Sequence, residues 1–351
     1  MNSHQNLASY SVSEAEDIVI KIFGINGCAT RLPGGYDFNF HIKCEDGKQF
    51  LLKISHANEE KSIIEMQNAA LQWLNSSPRP FNFPKPQQTL TGEFIAALDT
   101  DSGQSHFARL LTYVQGTLLA NMPPSLELLQ SFGEKLGQLS LALNQFHHPA
   151  AKRVFNWDLL QASSIEERIP AIENKQDRQC VETIYKYYKN NVLPKLSELR
   201  FSIIHNDANP WNVLVTTPMF GKPQVSGFID FGDMVESSTI CELAIAVTYA
   251  IMGNSNPLHA AAEIIKNYHA VYPLLQDEIA ILFDLICIRL CVSVVNSAIR
   301  KDNQSDNDAL SISEKPAWDL LRKLSNVDSL SATTIFKKAC QLNECNRFLT
   351  L

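Results

Sequence analysis

The spacing of apolar and polar positions changes along this chain, and each change marks an element. Ser13, followed by Glu16 and then by Ile18, Val19, Ile20, Ile22 and Phe23, carries the capping-box signature of a short helix that Gly24 would end. Two strand-like runs, 36–44 and 49–54, flank Glu45-Asp46-Gly47-Lys48, where Asp-Gly predicts a hairpin. Apolar residues at 63, 64, 66, 70, 71 and 74 predict a helix over 59–74, stopped by the prolines from Pro78 to Pro86. Strand-like runs at 94–98 and 106–114 complete a β-β-α-β-β order behind the leading helix. Past Gly116 and Pro123-Pro124 the pattern turns helical, over 125–147, 176–199, 238–252, 258–271 and 276–300. The exception is 203–231, a loop followed by short apolar runs at 213–215 and 225–231 with a turn near Gly221-Lys222-Pro223.

A chain of 351 residues exceeds what one core usually organises, so two domains are expected, 1–115 and 116–351. The net charge of −7 is spread without a basic stripe, which speaks against a nucleic-acid partner. The most apolar stretch, 279–299, is interrupted by Asp284, Arg289 and Asn296, so it reads as a buried helix and not a membrane span. With no secretory signal in the opening residues, a cytoplasmic protein is expected. Eight cysteines include no Cys-x-x-Cys, and Cys287 and Cys291, one helical turn apart, read as core.

The chemistry concentrates in Ile203-Ile204-His205-Asn206-Asp207-Ala208-Asn209-Pro210-Trp211-Asn212, followed eighteen residues after Asn212 by Asp230-Phe231-Gly232. Phosphoryl transfer needs a carboxylate to orient the attacking hydroxyl and accept its proton. It also needs an amide oxygen and a second carboxylate to hold the metal ions on the phosphates. Asp207, Asn212 and Asp230 can fill those roles in that order. No Walker-type phosphate loop, Gly-x-Ser-x-Gly or His-Glu-x-x-His is present.

His-x-Asp-x-x-x-x-Asn with a later Asp-Phe-Gly resembles the catalytic loop and metal-binding motif of kinases, in the variant of the aminoglycoside phosphotransferase and choline kinase superfamily. The resemblance implies an α+β, two-lobed protein-kinase-like fold: a small nucleotide-binding lobe with an antiparallel sheet plus helix, and a larger, mainly helical lobe with a catalytic β-hairpin. It implies ATP or GTP as co-substrate with Mg2+ or Mn2+. Leu32-Pro33-Gly34-Gly35 falls where such kinases place the loop over the phosphates, and adjacent glycines let backbone approach an anion. Lys53 matches the lysine that pairs with the α- and β-phosphates. The glutamate expected on the next helix is replaced: Gln67 stands in its place and Glu65 lies two residues earlier, so either could meet Lys53. At the end of the last strand, the Thr112 carbonyl and Val114 amide are implied to pair with the base. Glu242 stands where relatives carry an aspartate that braces the catalytic loop.

Short stretches resemble the hydroxylysine kinase branch: 35–40, His148-Pro149-Ala150-Ala151, 155–159 and 230–235. The substrate implied is a small hydroxylated amine or amino acid. Asp158, Asp233 and Glu236 could receive its ammonium and Trp157 could offer an aromatic face. Asp233 and Glu236 could equally cap a helix starting near Ser237, and Trp157 could be core. Kinases for homoserine, choline or ethanolamine, or aminoglycosides share the motifs, and a non-catalytic kinase-fold binding protein is a further alternative.

Overall fold

The computed structural model describes residues 10–34, 37–57, 59–77, 81–99, 105–302 and 314–342. They form two compact units. Residues up to 77 and Phe83–Gln115 make the first, and residues 81–82 join those from Gly116 onward in the second.

The first unit is an antiparallel sheet with two helices. Its strands β1 (Cys28–Leu32), β2 (Phe38–Lys43), β3 (Gln49–Ile54), β4 (Pro86–Gln87), β5 (Ala96–Asp99) and β6 (Ser105–Thr112) run in the order β1-β2-β3-β6-β4, with β5 also on β6. The β2–β3 hairpin forms as its Asp46-Gly47 turn predicts, with Gly47 at φ 82°. Helix α1 (Val12–Phe23) ends at Gly24, whose φ of 67° favours glycine. Its cap is Ser11 with Glu14, not Ser13 with Glu16. Both pairs have the right spacing, and tertiary structure decides: Glu16 Oε1 accepts the Ala29 N–H at 2.9 Å, tying α1 to β1. Phe40, Ile42, Leu52, Ile54 and Leu110 are fully buried with Val19, each contributing roughly 1.5–3 kcal/mol. The sequence pattern missed β1 and β4. Helix α2 is Lys61–Asn75.

The second unit is mostly helical around two small sheets, β10-β9-β7 and β11-β8. These are β7 (Thr117–Leu118), β8 (Phe201–Ile204), β9 (Val213–Thr216), β10 (Gln224–Phe228) and β11 (Val235–Ser238). The expected hairpin after the catalytic loop is β9–β10. Helices α3 (Leu126–Leu143) and α7 (Pro257–Val271) approach closely because Gly133 has no Cβ to strike the Ile264 carbonyl. The segment read as one helix over 176–199 divides into α4 (Lys175–Tyr187), a wide turn Tyr188–Val192, and α5 (Leu193–Leu196), whose start holds Pro194. An irregular 3₁₀ stretch, Leu159–Ala171, precedes α4. Helix α6 is Ile240–Ala250 and α8 is Gln276–Asp302. Two further helices, Glu314–Leu324 and Ser329–Ala339, were not foreseen.

Ser237 and Ser238, where a helix is expected to begin, instead end strand β11, and α6 starts at Ile240 behind Thr239, so Asp233 and Glu236 do not cap it. In α8, Ile279, Leu282, Ile286, Cys287, Leu290 and Cys291 are buried. Among the described residues no helix is long and apolar enough to cross a membrane.

Candidate active site

Strand β8 delivers the chain to His205, and its antiparallel partner β11 receives it after Met234, so one two-stranded pair anchors both chemical motifs. His205 is fully buried and neutral: burial pushes its pKa down to about 4. Its Nε2 lies 3.0 Å from the Ile229 carbonyl, an acceptor, which makes Nε2 the donor and leaves Nδ1 to accept the Asp207 N–H at 3.3 Å. The Ile229 N–H in turn donates to the Asn212 carbonyl at 2.9 Å. Ile229 therefore holds Asp230 against the Asp207–Asn212 loop from both sides.

Asp207 is oriented by two amides. Asn209 Nδ2 donates to its Oδ1 at 2.8 Å, and Asn212 Nδ2 to its Oδ2 at 2.7 Å and to its carbonyl at 2.9 Å. Burial raises the Asp207 pKa, while Arg289 and these two amides act against the rise. The Asn212 Nδ2 is committed to Asp207, which leaves Oδ1 as its acceptor for a cation, and Asp230 is exposed. Hard oxygen donors of this kind fit Mg2+ or Mn2+. Asn206 and Asp230 both adopt positive φ, 66° and 59°, a conformation that costs a non-glycine residue on the order of 1–3 kcal/mol and clusters at functional sites.

Glu242, on α6, braces this strained loop. Its Oε2 accepts the His205 N–H at 2.5 Å and the Asn206 N–H at 3.4 Å, so the extra methylene relative to aspartate does not prevent the contact. Its Oε1 is buried with no donor facing it among the described residues. Burial accordingly pushes the carboxyl up to about 7, against the pull of the two backbone donors. A raised folded-state pKa means the protonated form is favoured. Its stabilisation is complete below the unfolded carboxylate range and is lost as pH rises through about 7. Urea unfolding at pH 5 and pH 8 is expected to show wild type losing up to about 3 kcal/mol more than Glu242→Gln across that interval. Equal pH dependence of the two proteins would contradict it.

The residues expected to meet a substrate separate. Asp233 follows Asp230 on a short turn, and its pKa is raised by burial and then by Asp207 and Asp230, which places it in the same acidic cluster. That turn is held by Arg153, whose Nη2 donates to the Gly232 carbonyl at 2.8 Å and whose Nε donates to that of Met234 at 3.0 Å. Glu236 lies on β11, 3.9 Å from Lys152. Asp158 is 2% exposed and caps the 3₁₀ stretch, accepting the Leu160 N–H and the Ser237 hydroxyl. The Trp157 ring already faces an internal cation, with Arg289 Cζ 5.0 Å from its centroid. Asp158 is thus engaged by Leu160 and Ser237, and the Trp157 ring by Arg289. No local pattern marks Arg153 and Arg289 as site residues, since their hydrogen-bond partners lie 40 to 132 positions away.

In the first unit, Lys53 is 6% exposed on β3 and lies 3.5 Å from Asp37 Oδ2. Its strand neighbour is Arg109, also buried, which donates to Gln67 Oε1 and, at 3.1 Å, to Asn68 Oδ1. Gln67 is therefore the inward residue of α2, engaged by Arg109. Glu65 is on the exposed face, 3.3 Å from Lys61, and the expectation that it serves the lysine gives way to that surface pair. Gly34 has no room for a Cβ, which would lie 2.6 Å from the Asp37 carbonyl oxygen. Gly35 lies outside the described residues. The Thr112 and Tyr113 N–H groups bond to the Lys85 and Gln49 carbonyls, after which no described backbone group pairs with the Val114 amide.

A neutral histidine, an amide-oriented carboxylate and oxygen donors from two motifs are the kinds of group that phosphoryl transfer requires. The chain belongs to the phosphotransferase enzyme family, whose model matches residues 29–276. It is a small-molecule kinase acting on an alcohol, with a nucleoside triphosphate and a divalent cation implied by the family. It is 30% identical to hydroxylysine kinase of Mus musculus over 93% of this chain and 92% of that protein. To hydroxylysine kinase of Danio rerio it is 28% identical, over 88% and 89%. In fold it is similar to the amicoumacin kinase hAmiN, solved in complex with AMP-PNP, Ca2+ and Ami, with a TM-score of 0.68 at 15% identity over 92% of this chain and 97% of that one.

Proposed function

We propose that this protein transfers the γ-phosphoryl group of ATP or GTP to the side-chain hydroxyl of hydroxylysine or a closely similar hydroxylated amino acid. The observation that carries the reading is the Asp207 carboxylate, fixed by Asn209 and Asn212 within an acidic cluster, in a chain whose curated relatives are hydroxylysine kinases. Asp207 orients the acceptor hydroxyl and takes its proton as the bond to phosphorus forms, while Asn212 and Asp230 hold the metal. Bound Mg2+ would neutralise charge on the phosphates. The first unit serves nucleotide binding: Lys53 pairs with the α- and β-phosphates, Gly34 and Gly35 cover them, and Thr112 and Val114 take the base. The second serves catalysis and acceptor binding, where Asp233 and Glu236 are the carboxylates suited to an ammonium group. The protein acts in the cytoplasm.

Steady-state assays of hydroxylated amino acids, amino alcohols, choline, homoserine and aminoglycosides, each with ATP and GTP plus magnesium, test the acceptor. The highest kcat/KM is expected for hydroxylysine. A higher value for choline, ethanolamine, homoserine or an aminoglycoside would replace this reading.

A further inference from the structure

Helix α8 is apolar through most of its middle, yet Arg289 stands there 1% exposed. Burying a guanidinium is costly unless an anion faces it. Its fixed contacts are neutral. Nη1 donates to the Trp157 carbonyl at 2.6 Å and Nε to the Tyr249 hydroxyl at 3.2 Å, which also meets Ser293 Oγ at 2.8 Å. The Trp157 and Tyr249 rings lie 5.0 and 5.3 Å from its Cζ. Among the described residues no acceptor takes Nη2 and no carboxylate pairs directly with the group. Trp157 precedes Asp158, which accepts the Ser237 hydroxyl of β11 at 2.6 Å, so the guanidinium lies next to the strand that follows the Asp230–Asp233 turn, and its charge opposes the burial that raises the pKa of Asp207, Asp233 and Asp158.

Two neutral anchors and two aromatic rings fix the plane of the fork and exclude water around it, the setting in which an arginine–carboxylate pair is strong and selective. We propose that Arg289 receives the α-carboxylate of the acceptor, which makes the substrate a hydroxylated α-amino acid and not an amino alcohol or amino sugar. This rests on the acceptor reading above and adds the residue that enforces it. A simpler role, in which Arg289 only balances the acidic cluster and props the Trp157 carbonyl, would affect every acceptor alike.

Hydroxylysine and the diamino alcohol formed by removing its carboxyl group separate the two roles. Wild type is expected to favour hydroxylysine in kcat/KM by about 10²- to 10³-fold, the range for a buried charge pair that loses one partner. Arg289→Met should collapse that preference, chiefly through a higher KM for hydroxylysine. Arg289→Lys, which keeps the charge but not the fork, should fall between. Melting curves and nucleotide titrations accompany the variants, and if Arg289→Met does not fold, the lysine variant and the wild-type substrate pair decide. Equal use of both acceptors by wild type, or proportional loss on both in the variants, overturns the carboxylate role while leaving the acceptor reading intact. Wild type that phosphorylates neither compound overturns the acceptor reading and this inference with it.

Discussion

Asp207→Asn is expected to lower kcat by roughly 10²-fold or more, the usual contribution of a positioned general base. The substitution keeps the size of the side chain but removes the charge and the proton-accepting oxygen. It also turns an amide N–H toward one of the two donors, Asn209 or Asn212, that now fix the carboxylate. Nucleotide and metal binding should survive, because Asn212 and Asp230 retain their own oxygens. Steady-state kinetics beside a nucleotide titration and a melting curve make the separation: low turnover with intact folding and binding is the expected pattern. In wild type the ionised carboxylate is the working form and its pKa is raised, chiefly by burial, so kcat/KM should fall as pH drops through that raised value. Near-wild-type turnover of Asp207→Asn would remove Asp207 from the chemistry.

Asp230→Ala should abolish most of the dependence of nucleotide binding on magnesium. Asp230 is exposed and held at φ 59° by the anchoring of Ile229 on both His205 and Asn212, so its place is determined by its neighbours and not by its own preference. Replacing it removes a carboxylate without opening the core. The loss should be at least the roughly 10- to 100-fold in metal affinity that removing an outer partner costs a metal site. Calorimetry of ATP with and without magnesium reads this directly, independently of turnover. An unchanged magnesium dependence in the variant would place the metal elsewhere.

What the sequence revealed was local. The spacing from His205 to Asn212 and on to Asp230, the Asp46-Gly47 hairpin, the Gly24 stop and the periodicity of α2, α7 and α8 are all written within a few residues of where they act. Edge strand β1 was hidden because Thr30 and Arg31 interrupt any apolar alternation, and β4 because it is two residues long and begins at Pro86. The helix expected from near Ser237 begins later because Val235–Ser238 takes its strand conformation from pairing with β8, thirty-odd positions earlier. The final helix pair was missed, although Ala317, Leu320, Leu321 and Leu324, buried in the first of the two, stand at helical spacing. Asp37 beside Lys53, Arg109 on Gln67, and Arg289 on Trp157 had no such signal, since each depends on which strand or helix the fold sets next to another.

The most direct measurement is phosphorus NMR of wild-type protein with ATP, magnesium and hydroxylysine, beside the same mixture with Asp207→Asn. A phosphomonoester resonance that couples to the hydroxyl-bearing carbon, growing with ADP in wild type and nearly absent in the variant, is the predicted result. Release of ADP with inorganic phosphate alone, or equal ester formation by both proteins, would contradict it.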